Sequence, residues 1–228
     1  MTAALAMAGI SFSAGLASAH VSVAPATGTA AATTELFFNV GHGCENADTL
    51  SITVDIPAGV TGVRGVPNAF GKLKVNRDAA LNVVSVSWEK AVADLAATDD
   101  NFYKLGIRAK LPDAPFTTVY FAIHQVCQKP DGTKILADWV STTPSEGESG
   151  PKPAGSIVVL PARKAGWNKF KVPAAIEKLE TVFADAEIVW KGNAGFSTNP
   201  ATVEQIKATA GASALTTLAA GDEIWVKY

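Results

Sequence analysis

From residue 20 to residue 160 apolar residues come in short runs, each closed by Gly, Pro, Asn or Asp, and within the runs they alternate with polar ones. Leu50, Ile52, Val54 and Ile56 alternate with Ser51, Thr53 and Asp55, so one side of that segment faces a core and the other faces water. A chain punctuated in this way has little room for long helices and favours stacked antiparallel sheets. The segments expected as strands are Val21 to Val23, Glu35 to Val40, Thr49 to Ile56, Lys72 to Val75, Val83 to Trp88, Asn101 to Lys110, Thr117 to Val126, Ile135 to Ser141 and Gly155 to Leu160. Asp131-Gly132 marks a hairpin between two of them. The fold class expected is mainly β, an immunoglobulin-like antiparallel β-sandwich over residues 20–160.

Residues 141–155, rich in Ser, Thr, Pro, Gly and Glu, are expected as an extended loop before the last sandwich strand. After Pro161 the texture changes. Pro173 opens an expected helix through Phe183, and Ala184 to Trp190 is expected as a strand. Asn199-Pro200 supplies a cap and first helical residue for Ala201 to Ala208, and Glu223 to Tyr228 closes as a strand. Residues 161–228 are thus expected to form a small α+β module of unknown role. They contain no His, Cys or Met, which makes them a poor place for a metal. With 48% hydrophobic and 18% charged residues the chain is globular, and a net charge of -2 provides no basic footprint for nucleic acid.

Residues 1–19 are apolar, uncharged and end in Ala17-Ser18-Ala19, the small-x-small pattern of signal-peptidase sites. The stretch is short for a membrane-spanning helix, which needs about 20 apolar residues. It is expected as a signal peptide cleaved after Ala19, directing the protein to the periplasm or outside the cell. No charged n-region precedes it, which points to a start upstream of Met1. Cys44 and Cys127 are the only cysteines, and an even pair in an exported chain is expected as one disulfide. The only methionines are Met1 and Met7, so the mature chain has no thioether, and a metal it binds is held by nitrogen and oxygen.

Cleavage after Ala19 makes His20 the first residue. Its α-amine and Nδ1 can then bind one metal ion as a chelate. Both donors are largely deprotonatable near neutral pH, with reference pKa values of about 7.7 to 8 and about 6.5. Such nitrogen donors favour Cu(II) among the common divalent ions.

The residues around this point resemble the YcnI-like copper-binding proteins of bacterial cell envelopes. The resemblance is carried by His20-Val21-Ser22-Val23-Ala24-Pro25, by Thr34-Glu35-Leu36-Phe37-Phe38-Asn39-Val40, by Gly41-His42-Gly43-Cys44, by Asp55-Ile56-Pro57-Ala58-Gly59-Val60, and by Gln125-Val126-Cys127 followed by Asp138-Trp139-Val140. It spans residues 20–160 and implies a β-sandwich with a single-histidine brace for Cu(II). On that carry-over His20, Glu35 and Trp139 make the site: amine and imidazole, a strand carboxylate, and an indole close to the metal. The sequence departs from the family where Asn68-Ala69-Phe70-Gly71 replaces a Pro-Gly-Trp and where Ser141 replaces a glycine. Many relatives end in a membrane anchor, whereas this chain ends in the extra module.

Each of these residues has a plainer reading. His20 can be a solvated terminus, Glu35 a charge on a sheet edge, and Trp139 a core or rim aromatic packed on the disulfide. His42 and His124 offer a second imidazole, as in copper monooxygenases, although alternation puts His124 opposite Ile123 on a solvent face. The function expected is Cu(II) binding, as chaperone, store or delivery factor with another envelope copper-handling protein as partner, and not an enzyme. The alternatives are a copper-dependent oxidase and a metal-independent envelope interaction module.

Overall fold

The computed structural model describes residues 21–98, 100–143 and 152–228. The expected signal peptide, His20 and most of the Ser/Pro/Glu-rich loop lie outside the described residues.

Thirteen strands precede Pro161: β1 (Val21–Ala24), β2 (Thr27–Thr29), β3 (Thr33–Val40), β4 (Thr49–Asp55), β5 (Thr61–Val66), β6 (Lys72–Arg77), β7 (Val83–Glu89), β8 (Tyr103–Lys110), β9 (Thr117–Phe121), β10 (Ile123–Gln128), β11 (Lys134–Ser141), β12 (Lys152–Pro153) and β13 (Gly155–Leu160). They form a four-stranded sheet β1-β3-β8-β5, a six-stranded sheet β12-β11-β10-β4-β7-β6 and a three-stranded sheet β2-β13-β9. The expected immunoglobulin-like β-sandwich is what the chain adopts. Pairing is antiparallel except between β11 and β12 and between β13 and β2.

Alternation explains which residues turn inward. Along β3, Leu36, Phe38 and Val40 are buried, and along β4 so are Ile52 and Val54. They meet Trp88, Leu105, Ile107, Phe121, Ile123 and Ile157 in one core, where Phe38 and Phe121 pack edge to face at 5.4 Å. Burying side chains of this size contributes about 1.5 to 3 kcal/mol each. The stretch expected as a single strand from Thr117 to Val126 is two. β9 pairs with β13 and β10 pairs with β4 and β11, so the chain changes sheets at Ala122, whose carbonyl accepts from Asp55 N–H.

The expected hairpin at Asp131-Gly132 joins β10 to β11. Gly132 takes φ 89° and its N–H donates to the Lys129 carbonyl. The disulfide between Cys44 and Cys127 is present, with Cα atoms 5.7 Å apart. It ties the loop after β3 to β10.

Beyond Pro161 a five-stranded sheet forms, in the order β14 (Trp167–Lys171), β18 (Glu223–Lys227), β15 (Ile188–Lys191), β16 (Ala194–Phe196) and β17 (Ser213–Ala214). It comes with helices α1 (Leu179–Val182) and α2 (Pro200–Ala208). Asn199 caps α2 as expected, its side-chain oxygen accepting from Ala201 N–H at 2.9 Å. The helix expected from Pro173 to Phe183 is reduced to α1. Ile176 exchanges both backbone hydrogen bonds with Leu218, which uses the groups a helix would need internally. Val172, Leu179, Phe183, Val189, Ile224 and Val226 make a second core. Phe116, from the loop before β9, enters it and packs on Phe170 and Phe183 at 5.6 and 5.8 Å.

Candidate metal centre

The start of β1 is fixed by its pairing with β3. Val21 lies opposite Val40 and Ala24 opposite Phe37, and β8 continues the row with Tyr103 opposite Val40. The first described residue therefore sits where β3 runs into Gly41-His42-Gly43-Cys44. β13 and β10 close in on the same point. A Cβ on Gly155 would meet Val23 Cγ2 at 2.7 Å and Ile123 Cδ1 at 2.9 Å, with the Val21 carbonyl oxygen at 3.7 Å. Only glycine admits that approach, and Ile123 is paired with Trp139 on β11.

Three polar side chains join the His42 loop to the sandwich. Gln125 is 1% exposed and points inward between Ile123 and Cys127. Its Nε2 donates to the His42 carbonyl and to Thr49 Oγ1, both at 2.9 Å. Its Oε1 accepts from Trp139 Nε1 at 3.1 Å. A buried amide left unsatisfied costs about 1 to 3 kcal/mol, so this relay fixes both the loop and the indole. His42 Nδ1 lies 2.6 Å from the Gly43 carbonyl oxygen. A carbonyl only accepts, so Nδ1 is the donor in this contact.

Trp139 is 3% exposed and belongs to the core. The ammonium of Lys152 on β12 stands over its ring at 4.6 Å. This is the plainer reading of Trp139, a core aromatic, placed at the same end of the sandwich as the start of β1.

Next to this point a charge is buried. Asp48 Oδ2 accepts from Lys90 Nζ at 2.6 Å and from Ala96 N–H at 2.9 Å. Its Oδ1 accepts from Tyr103 Oη at 2.7 Å and from Thr49 N–H at 2.8 Å. Lys90 also lies over the rings of Tyr103 and Phe70, and Phe70 meets Tyr103 edge to face at 4.9 Å. Burial pushes the Asp48 carboxyl up, but the hydrogen bonds from Lys90, Tyr103 and Ala96 and the Lys90 charge outweigh it and hold the group below its ordinary range. All four acceptor positions are taken, so this carboxylate is structural. Phe70, in the segment where family members carry a Pro-Gly-Trp, supports this cluster.

Glu35 is not brought to the same place. It lies on β3 opposite Arg108, five residues from Val40, or about 17 Å at roughly 3.4 Å per residue. The end of β1 nearest to it is Ala24, not Val21. Its side chain is on the solvent face, where the edge-charge reading fits. Strand register sets two of the expected trio apart, Trp139 sharing an end of the sandwich with the start of β1 and Glu35 lying toward the other; His20 lies outside the described residues.

His124 is also elsewhere. As expected it points away from the buried Ile123, onto the outer face of β10. Its Nδ1 is 2.6 Å from Asp138 Oδ1 and its Nε2 3.3 Å from Asp55 Oδ2. The Asp138 hydrogen bond raises its pKa above the usual 6.5, burial opposes this, and Asp55 adds to the rise. Both nitrogens face carboxylates on opposite sides. Among the described residues no group of three or more His, Cys, Asp or Glu side chains is placed to hold a metal.

Sequence reasoning passed over Gln125, Asp48, Lys90 and Lys152. Gln125 did leave a signal: it is a polar residue at the inward parity of Ile123 and Cys127.

The fold and this end of it define an immunoglobulin-like, disulfide-linked β-sandwich. The family described as a domain of unknown function, DUF1775, matches residues 20–159, and the chain belongs to it; YcnI-like proteins are of this family. The chain is similar in structure to an uncharacterized protein from Nocardia farcinica with an immunoglobulin-like fold, at 24% identity and a TM-score of 0.51, covering 62% of this chain and 98% of that one. A cohesin ScaC from Acetivibrio cellulolyticus, in complex with the ScaB dockerin, aligns at 17% identity and a TM-score of 0.32, over 59% of this chain and 93% of that one. No curated protein matches. Among the described residues no helix is long and apolar enough to cross a membrane, and the disulfide fits an oxidising compartment.

Proposed function

We propose that the mature protein binds one Cu(II) ion at the start of β1 and handles copper in the cell envelope, as a carrier or store rather than an enzyme. The donors are the α-amine and Nδ1 of His20, exposed by cleavage after Ala19, with Nε2 of His42 as a further nitrogen. The observation that carries this reading is the β1–β3 register, which sets Val21 beside the segment leading to His42. The hydrogen bond from His42 Nδ1 to the Gly43 carbonyl and the tether of its loop through Gln125 to Trp139 support it. Glu35 leaves the donor set for the distance given above. The family's description assigns no activity, and Cu(II) is chosen on donor chemistry and on the resemblance to YcnI-like proteins.

The test is titration of the purified mature protein with Cu(II), read by electron paramagnetic resonance. One ion per chain with nitrogen couplings is expected. His42→Ala should lose one nitrogen coupling and weaken binding at least tenfold, whereas Glu35→Ala should leave both unchanged. An alanine inserted before His20 should abolish the site. Full binding by that insertion variant, or loss of binding in Glu35→Ala alone, overturns the assignment.

A second imidazole brings the donor set closer to that of copper monooxygenases, the enzymatic alternative. Those need an exposed aromatic surface around the metal, and the indole at this end, Trp139, is buried. Hydrogen peroxide release by the copper form with ascorbate, at turnover well above free copper, would favour the enzyme.

A further inference from the structure

The sheet of the C-terminal module carries three tryptophans that none of the copper chemistry uses. Trp190 on β15 is directly opposite Trp225 on β18. On the other side of β18, Trp225 faces Lys169, two residues from Trp167 on β14. Side chains at these positions share one face, and the neighbouring positions Val189, Ile224 and Val226 are buried beneath. Trp167 and Trp225 are 50% and 49% exposed, although a tryptophan on a sheet usually buries its ring. The three indoles alone line a shallow concavity of about 400 Å³. At roughly 4.8 Å between strands the platform is about 10 Å across.

The position of Trp190 is built. A Cβ on Gly195 would meet its ring at 2.9 to 3.0 Å, so glycine at 195 lets the indole lie against β16. Beyond it the cleft deepens to a pocket of about 340 Å³ walled by Trp167, Trp190, Asn193 and Thr209 with Gly192 and Gly211. Those two glycines take φ 54° and 76° and face open space, which leaves the two turns bare, with Asn193 lining the pocket beside Trp190.

Charge and area narrow the occupant. On the platform's own face Lys169 pairs with Glu223 at 2.7 Å and Lys227 with Glu187 at 2.8 Å, and Lys171, two residues further along β14, is the exposed cation left over. One unpaired cation beside two matched ones is far from the clusters of about four to eight that hold an anionic lipid surface, and gives little attraction to a nucleic-acid backbone. A second copy of the chain is poorly served too. Two half-exposed tryptophans and the less exposed Trp190, at up to about 250 Å² each, offer roughly 250 to 350 Å² together, well under the ~800 Å² per partner of a stable interface. What fits flat indole faces bordered by hydrogen-bonding groups is a neutral molecule with apolar faces and a polar edge, which describes a β-linked pyranose with its axial C–H bonds on the ring faces and its hydroxyls around the rim.

We propose that Trp167, Trp190 and Trp225 form a binding platform for a neutral β-linked glycan, with the Asn193 pocket taking the end of the sugar chain. Stacking holds about two sugar rings, and amide and ion-paired side chains hydrogen-bond their hydroxyls. Binding at this face involves none of the copper donors.

The experiment uses the full mature chain without copper. Cellohexaose and chitohexaose are titrated while tryptophan emission is followed, with calorimetry as a second readout. At least one hexasaccharide should bind with a blue shift, and Trp225→Ala and Trp167→Ala should each weaken binding tenfold or more. Lys207→Ala, on the exposed side of α2, should leave it unchanged. Thermal unfolding of the tryptophan variants shows that the sheet persists, and the half-exposed positions make loss of folding unexpected. Trp225→Phe should retain part of the affinity. Co-sedimentation with phosphatidylglycerol vesicles without glycan binding, a dimer in sedimentation velocity that Trp225→Ala dissociates, or no binding of either sugar would each overturn the proposal.

Discussion

At the residue scale the most informative side chain is Gln125, because one amide holds both the His42 loop and the Trp139 indole. Gln125→Leu has nearly the same volume and removes all three hydrogen bonds. It should cost about 1 to 3 kcal/mol in urea unfolding and weaken Cu(II) binding about 10- to 100-fold, the usual effect of losing an outer-shell partner. Unchanged copper affinity with lowered stability would make the relay purely structural. His124 makes a separate prediction. Its folded pKa is raised, so its pairing with Asp138 and Asp55 stabilises the fold fully below the unfolded value of about 6.5 and is lost as pH rises through the folded value. The groups are exposed and the effect on stability is small, so the measurement is an NMR titration of the imidazole. Its midpoint should exceed 6.5 and fall back in Asp138→Asn. Alternation made the outward face of His124 legible in the sequence, as it did the inward parity of Gln125. The carboxylate partners of His124 were not legible, because they come from two other strands.

At the scale of elements, β1, β3 and β8 carry the argument for the site, and their register is what a sequence hides. Periodicity tells which face a residue takes and says nothing of which residue lies opposite, since pairing joins segments far apart in the chain. Glu35 and Trp139 could therefore be assigned to one site from resemblance, although the pairing of Val21 with Val40 separates them. The same limit explains the shortened α1, where the bridge from Ile176 to Leu218 overrides a good helix-opening proline, and the break at Ala122, where one apolar run serves two sheets. Local signals survived where they needed no distant partner, as with the Asn199 cap and the Gly132 turn. The ends of β4 and β8 meet in the buried cluster of Asp48, Lys90 and Tyr103. Lys90→Ala leaves a buried carboxylate without its cation and should cost about 3 to 5 kcal/mol. Asp48 has a lowered folded pKa, so its contribution is present above the unfolded value of about 3.9 and lost as pH falls through the folded value. The loss in Lys90→Ala should accordingly shrink in acid, measured as urea unfolding at pH 7 and below pH 4. An equal loss at both would mean that packing over Phe70 and Tyr103, not charge, is what Lys90 supplies.

At the scale of the molecule, two cores share one chain and one disulfide. The bridge from Cys44 to Cys127 spans 83 residues, for which chain entropy predicts about 4 to 5 kcal/mol of stabilisation. Reduction should lower the melting temperature of the sandwich and, by releasing the loop next to His42, weaken copper binding as well. A reduced protein with intact copper affinity would show that Gln125 holds that loop without the disulfide. Phe116 leaves the sandwich to fill the second core, so the module with the tryptophan face is packed with the sandwich rather than strung after it. The pairing of Val21 from the first described residue has one more consequence. There is no slack between the sheet and the expected cleavage point. On the proposed reading, a peptidase that cut one bond early would leave the His20 nitrogen in a peptide bond, and one that cut one bond late would remove His20 altogether. Accuracy of proteolytic processing would then be read out by the metal, for which only correctly matured chains would compete.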